Sequence, residues 1–259
     1  RIWFETTDPS KCVVGAARNT VAGIRATVTA LHAGTCEVRG HKDGDANFAP
    51  AESSVIEIVV AKGTQSELSL SLESPLTYSV NPIASTHLRA LGGSGSGSVS
   101  YSLLSGPCTL VANELSAPNA GDCVVRATKA ADQDFNEVVV ESTFTVAKAG
   151  QAALSLELAE GSISTLAWDG KKIGALVVSG GTGSGALSAT TNSVEICTVS
   201  VTGSNVSVTG VAAGTCTVTV SKATSTNYLA KSSTFEFTVI DLPTAPSNVT
   251  ITNTGVVTD

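Results

Sequence analysis

An internal repeat constrains the fold of this chain more than any other sequence feature. The tripeptide Ala-Gly-Thr or Ala-Gly-Asp precedes Cys36, Cys123 and Cys216. In each case a lysine follows six residues later and an aromatic residue twelve residues later, at Lys42, Lys129, Lys222, Phe48, Phe135 and Tyr228. Successive cysteines of this set are 87 and 93 residues apart, too far for a solenoid unit of about 20–50 residues. Each copy is therefore predicted to be a domain.

The repeat divides the chain into four segments. Copy 1 covers residues 1–62, copy 2 covers residues 63–149, copy 3 covers residues 150–241, and a tail covers residues 242–259. The junctions Lys62–Gln65 and Lys148–Gln151 are short and lack a Gly/Ser tract. Because only such a tract would make them flexible coils, we expect the domains to follow one another nearly end to end.

Apolar and polar residues alternate within each copy, as in the run Cys216–Val220. This period places cysteine and valine on one face of a half-buried strand. Copy 2 contains seven such stretches separated by Gly, Pro, Asn and Asp: Leu68–Leu72, His87–Leu91, Val99–Leu104, Cys108–Ala112, Glu114–Ala117, Cys123–Thr128 and Val138–Val146. Seven short strands in roughly 85 residues are typical of an immunoglobulin-like sandwich. The predicted fold class is all-β, with tandem immunoglobulin-like β-sandwich domains arranged as a rod.

The six cysteines fall into three local pairs: Cys12 with Cys36, Cys108 with Cys123, and Cys197 with Cys216. None lies in a Cys-x-x-Cys motif, and no histidine stands at metal-ligand spacing from a cysteine, which argues against structural zinc. Three structural disulfides, each within one copy, are the favoured interpretation. They indicate an oxidising, extracellular location, at the cell surface or secreted.

Composition excludes two classes of function for this segment. With 22 acidic and 15 basic residues and only 14% charged residues, the chain lacks the clustered cations that nucleic-acid binding requires. No run approaches the 18 or so apolar residues of a membrane span, and the chain does not open on a basic and then apolar stretch. Neither nucleic-acid binding, nor a membrane span, nor a signal peptide is expected here.

Three motifs together resemble a known family: the glycine-rich run Gly92–Gly97, the run Ala213–Val218, and the turn Asp45–Ala51. Their joint spacing is similar to that of the tandem immunoglobulin-like repeats of large bacterial surface and secreted proteins. The resemblance covers about residues 1–240 and implies a stalk or spacer of an adhesin. The segment Asp241–Ile251 resembles the first strand of a fibronectin type III domain.

One candidate metal site is present in the sequence. Asp43, Asp45 and Asn47 place three oxygen ligands at alternate positions, as at the start of a calcium loop. A loop of the EF-hand type has Gly at its sixth and Glu at its twelfth position, where this chain has Phe48 and Ser54. A polar turn is the favoured interpretation, and we expect no metal and no cofactor.

Catalytic motifs are missing from the sequence. It has no Gly-x-Ser-x-Gly nucleophile elbow, its glycine-rich runs lack the residues of a phosphate-binding loop, and His32, His41 and His87 do not recur between copies. We therefore expect a protein that is not an enzyme, with surface or packing histidines.

The recurrent side chains have structural interpretations. A lysine that follows an alternating strand is expected to be solvated or snorkelling, in preference to forming an intramolecular isopeptide bond. The recurrent aromatic residue is expected to plug the end of each sandwich. Trp3 and Trp168 are expected in core or interdomain positions and not as sugar-binding platforms.

Together these features predict an extracellular structural or adhesive stalk segment. Its expected partners are neighbouring copies or flanking domains of the same protein, with a host or cell-surface ligand as a further candidate. Two alternatives stay open: a non-catalytic ligand- or glycan-binding module of a secreted enzyme, and a filament subunit assembled by strand complementation between subunits.

Copy 1 lacks part of the repeat. Aligning Cys12 with Cys108 places Arg1 opposite Gly97, so that nothing in copy 1 matches the two strands within Thr64–Ser96. A sandwich without these strands leaves a sheet edge unpaired. Either the chain is a piece of a longer one, or another copy supplies the strands. The tail Asp241–Asp259 is a candidate donor by strand addition.

Overall fold

The computed structural model describes residues 1–168 and 173–242. The chain divides into two compact units, Arg1–Ala147 and Lys148–Asp259. The described residues form strands and turns and contain no helix, so the predicted all-β class is confirmed. Copies 1 and 2 share the first unit, and the division falls after Ala147, close to the repeat boundary. The predicted fibronectin-like strand and the candidate donor tail both start at Asp241, and all their residues after Leu242 lie outside the described part of the chain.

Copy 1 has one small sheet and two ribbons. Its strands are β1 (Ile2–Thr6), β2 (Cys12–Val14), β3 (Arg18–Thr20), β4 (Gly23–Arg25), β5 (Val28–Ala30), β6 (Gly34–Lys42), β7 (Ala51–Glu52) and β8 (Ile56–Val60). The central strand β6 pairs with β1 on one edge and with β7 and β8 on the other. The ribbons are β2–β5 and β3–β4, and all pairings are antiparallel.

Copy 2 is a two-sheet sandwich. Its strands are β9 (Leu68–Leu72), β10 (Ala84–Gly92), β11 (Val99–Ser105), β12 (Thr109–Val111), β13 (Glu114–Ala117), β14 (Gly121–Lys129) and β15 (Val138–Val146). One sheet has the order β12-β13-β10-β9 and the other β11-β14-β15. All seven predicted strands are present, and β9, β13 and β15 have the predicted bounds.

Copy 3 has the same architecture with four strands in each sheet. Its strands are β16 (Leu154–Leu158), β17 (Thr165–Ala167), β18 (Ile173–Gly180), β19 (Leu187–Thr191), β20 (Cys197–Thr202), β21 (Asn205–Gly210), β22 (Gly214–Lys222) and β23 (Lys231–Ile240). The sheets have the orders β16-β18-β21-β20 and β17-β23-β22-β19. The pair β17–β23 is parallel.

The inward residues of the alternating strands form the cores. In copy 3, Leu176, Val206, Val218 and Phe237 are fully buried between the sheets. Copy 2 has a similar core around Leu115, which is also fully buried. In copy 1, by contrast, the buried hydrophobic residues are only Cys12, Cys36 and Val38. Copy 1 therefore has much less core than the other two copies.

A disulfide joins the two layers in each copy. The bonds are Cys12–Cys36, Cys108–Cys123 and Cys197–Cys216, with Cα atoms 5.9, 6.0 and 5.9 Å apart, which is the usual separation. In each copy the second cysteine lies on the central strand of one sheet and the first lies in, or next to, an edge strand of the other layer. No free cysteine remains.

Candidate functional site

The same short motif, Lys-x-x-Gln, spans the junctions that lead into copies 2 and 3 and packs against a turn of the copy that follows. In copy 2 the motif is Lys62–Gln65 and the turn is residues 132–136; in copy 3 the motif is Lys148–Gln151 and the turn is residues 225–229. We call this arrangement the linker clamp. The copy 2 clamp lies within the first compact unit and the copy 3 clamp within the second.

Backbone hydrogen bonds make the first contact of each clamp. In copy 2 the amide of Gly63 donates to the carbonyl of Asp134 at 2.8 Å, and the amide of Asn136 donates back to Gly63 at 2.9 Å. In copy 3 the same pair of bonds joins Ala149 to Asn227 and Leu229, at 2.9 and 2.8 Å. The linker is therefore paired like a strand, in parallel, with the turn.

The glutamine of each clamp ties three segments together. In copy 3 Gln151 is 8% exposed. Its Nε2 donates to the carbonyls of Leu229 at 2.8 Å and Ala223 at 3.2 Å, while its Oε1 accepts from the amide of Gly183 at 3.1 Å. The amide side chain thus connects the linker to the turn and to the glycine-rich run, which is otherwise a loop between two strands.

The copy 2 glutamine makes the same contacts. Gln65 Nε2 donates to the carbonyls of Asn136 at 2.7 Å and Ala130 at 3.1 Å, and Oε1 accepts from the amide of Gly95 at 3.2 Å. Because its partners are backbone atoms at equivalent positions, the contact survives differences in the side chains of the turn. Sequence reasoning missed this role, although the shared Lys-x-x-Gln spacing was a signal that could have shown it.

Two lysines complete each clamp. In copy 3 Lys148 Nζ donates to the carbonyl of Ser225 at 2.6 Å, and Lys222 Nζ donates to the carbonyl of Gly181 at 3.1 Å. In copy 2 Lys62 Nζ donates to the carbonyl of Asp132, and Lys129 Nζ contacts the carbonyls of Gly92 and Gly93 at 3.4 and 3.3 Å. The recurrent lysine therefore caps the glycine-rich run, a role that the expected solvated lysine did not include.

Glycine is required where the glycine-rich run approaches the residue that directly follows the strand carrying the repeat cysteine. A Cβ atom on Gly97 would lie 2.0 Å from the carbonyl oxygen of Ala130, and one on Gly185 would lie 1.9 Å from that of Ala223. Both distances are far inside van der Waals contact. Close backbone packing, not flexibility, accounts for these two glycines.

An aspartate anchors the turn of copy 2. Asp132 Oδ1 accepts from the amides of Asp134 and Phe135 at 3.0 and 2.8 Å, and Oδ2 accepts from the amide and hydroxyl of Ser96. The hydrogen bond from the Ser96 amide is the main cause of the lowered pKa of Asp132, and the other bonds add to it. Together they lower this pKa from 3.8 to about 2. In copy 3 Ser225 stands at this position, and the neighbouring Thr224 donates to the carbonyl of Tyr228 at 2.8 Å instead.

A second aspartate of the same turn connects copy 2 to copy 1. Asp134 Oδ2 lies 2.7 Å from His32 Nδ1, and Oδ1 accepts from the amide of Ala33 at 2.7 Å. The contact with His32 is the main cause of the lowered pKa of Asp134, and the Ala33 amide adds to it. The tight turn that precedes β6 in copy 1 is therefore bound directly to the clamp turn of copy 2.

The carboxylates of the calcium candidate accept hydrogen bonds within copy 1. Asp45 Oδ1 accepts from the amides of Asn47 at 2.9 Å and Phe48 at 3.0 Å, and Asp43 Oδ1 accepts from the indole of Trp3 at 3.2 Å. Across residues 1–168 and 173–242, no group of three or more His, Cys, Asp or Glu side chains is placed to hold a metal ion. The same residues contain no helix long and apolar enough to cross a membrane.

The recurrent aromatic residue behaves differently in copy 1. Phe135 is half-buried, and its ring lies 3.5 Å from where a Cβ atom of Gly63 would stand. Phe48 in copy 1 is 73% exposed, so the expectation that it plugs its sandwich is wrong. The aromatic ring covers the linker, and copy 1 has no linker at the corresponding place.

The other singled-out side chains have local partners. The ring of Trp3 stacks on that of His41 with centroids 4.1 Å apart, and His41 lies between Glu5 at 2.8 Å and Glu52 at 3.4 Å. His87 lies 3.9 Å from Glu73. These contacts agree with surface and packing roles for the histidines.

An apolar cleft opens between the edge strands β11 and β12 of copy 2. It encloses about 740 Å³, and its walls include Val99, Tyr101, Leu103 and Leu110. The Tyr101 hydroxyl, its only titratable group, accepts from the amide of Ala90 at 3.2 Å. The hydroxyl-bearing residues Ser100, Ser102 and Thr109 also line the cleft.

Comparison with known proteins gives no family and only distant structural likeness. No family model and no curated protein sequence matches the chain. Among solved structures, it is similar to the protocadherin GammaB4 extracellular domain, at 11% identity and a TM-score of 0.32, over 92% of this chain and 43% of that one. It is also similar to domains 4 and 5 of the S-layer protein SbsC, at 19% identity and a TM-score of 0.26, over 69% and 100%. For the EC1–4 region of PcdhgB3, identity is 10% and the TM-score is 0.29, over 93% and 67%.

Proposed function

We propose that this chain is a stalk segment of an extracellular structural or adhesive protein. The observation that carries the proposal is the linker clamp, which recurs in copies 2 and 3 with equivalent donors and acceptors. What both junctions retain is the attachment of the linker to the domain that follows. No histidine recurs, and the calcium candidate recurs only in part, with Asp132 at the position of Asp45 in copy 2 and Ser225 in copy 3. Defined junctions between domains are what a spacer requires, whereas an enzyme requires a catalytic site.

The clamp gives each linker a defined conformation. The backbone of the linker is paired with a turn, and its glutamine is bonded to three segments. At the junction of copies 1 and 2, the contact of His32 and Ala33 with Asp134 adds a direct bond between the two domains. This junction, inside the first unit, is therefore suited to transmit load without a slack segment.

The disulfides support the extracellular part of the proposal. All six cysteines are paired and none is free, which is typical of proteins in oxidising compartments. Each bond also shortens the length of chain that can extend if its domain unfolds, since the residues between the two cysteines stay closed. This suits a domain that bears tension outside the cell.

Single-molecule stretching of the full chain tests the structural role. Under non-reducing conditions, the Gln151→Ala variant is expected to lower the force at which the second unit unfolds, and the Glu195→Ala variant, at an exposed position of the same unit, to leave it unchanged. Extension without resolved unfolding events in the unaltered chain would overturn the proposal. A membrane-impermeant label applied to intact source cells tests location: a protein that is labelled only after lysis is not extracellular.

A further inference from the structure

Copies 1 and 2 can be matched strand by strand from their pairing. In copy 1 Ile2 pairs with Lys42, and in copy 2 Val99 pairs with Lys129, so β1 corresponds to β11 and β6 to β14. Ile2 therefore stands opposite Val99, and Arg1 matches Ser98, not Gly97 as the cysteine spacing predicts. The one-residue difference arises after these strands, because six positions separate Thr6 from Cys12 and five separate Leu103 from Cys108. No described strand of copy 1 corresponds to β9 or β10.

The inner face of copy 1 is open where those strands would lie. Ile58 pairs with Cys36 and Ile56 with Val38, which places both isoleucines on the core side of β8, yet they are 37% and 58% exposed. In copy 2 the residue that pairs with the repeat cysteine is Phe144, and it packs in one cluster with Leu70 and Leu72 of β9. The leucines of a strand like β9 are what this face lacks.

The edge of copy 1 is open as well. In copy 2, β13 pairs with β12 on one side and with β10 on the other, and Leu115 in its middle is fully buried. In copy 1 the corresponding β5 pairs with β2, and within the described part of the chain no strand lies on its second edge. Its Val28, which matches Leu115, is only half-buried. Two-stranded ribbons of this kind are marginal by themselves.

The clamp of copy 1 is half-formed too. Its turn is closed by the same backbone bond, from Asp45 to Phe48, that closes the turns of copies 2 and 3. Phe48 has no linker beneath it and Lys42 is exposed, whereas its counterparts Lys129 and Lys222 cap glycine carbonyls. In copy 2, one continuous stretch, residues 62–97, fills the open face, the open edge and this clamp together.

We propose that copy 1 is an acceptor for a linker and a two-stranded ribbon that enter at the amino-terminal end of β1. The occupant has the chemistry of residues 62–97: a Lys-x-x-Gln linker, a first strand with leucine at alternate positions, a second strand that pairs with β5, and a glycine-rich loop. In copies 2 and 3 this stretch immediately precedes the strand equivalent to β1, so entry from the amino-terminal side of β1 needs no crossing of other strands.

Hydrogen exchange on an extended chain tests the proposal. An added copy of residues 62–97, fused directly ahead of Arg1, is expected to slow amide exchange in Val28–Ala30 and Ile56–Val60 by about tenfold or more, because edge amides become paired within a cooperative sandwich. The control carries the same extension with its equivalent of Leu88, which is 2% exposed in copy 2, changed to Asp. The control extension cannot be buried without placing an unpaired carboxylate in the core.

Each result decides the question. Slower exchange with the extension and not with its control supports the acceptor. Equal exchange in the extended chain, the control and the unaltered chain overturns it. If the unaltered chain is already protected at Val28–Ala30 and loses this protection on dilution, a second copy occupies the face, and supply from the amino-terminal side is wrong.

Discussion

Replacing the buried clamp glutamine of copy 3 measures what the clamp contributes to stability. Gln151→Ala removes the bonds to Leu229, Ala223 and Gly183, at 2.8, 3.2 and 3.1 Å. At about 0.5–1.5 kcal/mol net for each bond, the expected loss is about 3 kcal/mol. For a domain of this size, that lowers the melting temperature by roughly 10–20 °C.

A second substitution at the same position separates donor loss from volume loss. Gln151→Glu has the same shape and retains an acceptor for the amide of Gly183, but it places a carboxylate oxygen against the carbonyls of Leu229 and Ala223. We expect it to destabilise at neutral pH. Because folding disfavours the charged form and so raises the pKa of this carboxyl, the lost stability should return as the pH falls and the protonated group donates again.

Differential scanning calorimetry of the full chain is the assay, since the first unit provides an internal reference. Glu195→Ala is the control in the same unit, because this side chain is exposed and its loss should change stability by no more than about 0.5 kcal/mol. A Gln151→Ala variant that melts like the control would refute the reasoning. So would a Gln151→Glu variant with no recovery at lower pH.

Four further predictions concern the remaining parts of the fold. Removing one disulfide by the double change of Cys197 and Cys216 to Ala is expected to lower the stability of the second unit by about 3 kcal/mol, on the chain-entropy argument for a loop of 19 residues, and urea unfolding measures it. Gly185→Ala should destabilise by about 1–3 kcal/mol, the usual cost of overpacking, because the new Cβ atom meets a backbone oxygen at 1.9 Å; an unchanged urea midpoint would contradict the close approach. The pKa of Asp132 is lowered from 3.8 to about 2, so its stabilising contribution is complete above pH 3.8 and is lost as the pH falls through about 2. Asp132→Asn should therefore flatten the acid unfolding curve of the first unit and leave that of the second unit unchanged. Calcium and a chelator should give the same melting temperature, since Asp45 is committed to the amides of its own turn, and a rise of several degrees with calcium would show that the turn binds the ion.

Local pattern alone determined the strands of the sandwiches. Alternation in runs such as Val138–Val146 predicts both the strand and the face it buries, because a strand interior is specified by the period of its own side chains. Cysteine positions that recur at the repeat spacing likewise predict three bonds within copies, because each pair lies close in sequence.

The clamp was decided by the tertiary structure. Gln65 bonds the carbonyl of Asn136 and Gln151 that of Leu229, both more than 70 residues away. The acceptors are backbone atoms, which every residue type carries, so no side chain in the turn marks them. Ser225 can therefore replace the aspartate of copy 2 while the bonds to the glutamine remain.

The alignment of copy 1 with copy 2 and the exposure of its apolar side chains also could not be predicted from the sequence. The connection from Thr6 to Cys12 is one residue longer than that from Leu103 to Cys108 and shifts the match of Arg1 by one residue, which spacing counted from the cysteines does not detect. Ile56, Ile58 and Phe48 have the apolar character of buried residues, but burial depends on whether another segment covers them. The alternating sequence specifies which face of a strand is apolar, and only the assembled sheets decide whether that face is covered.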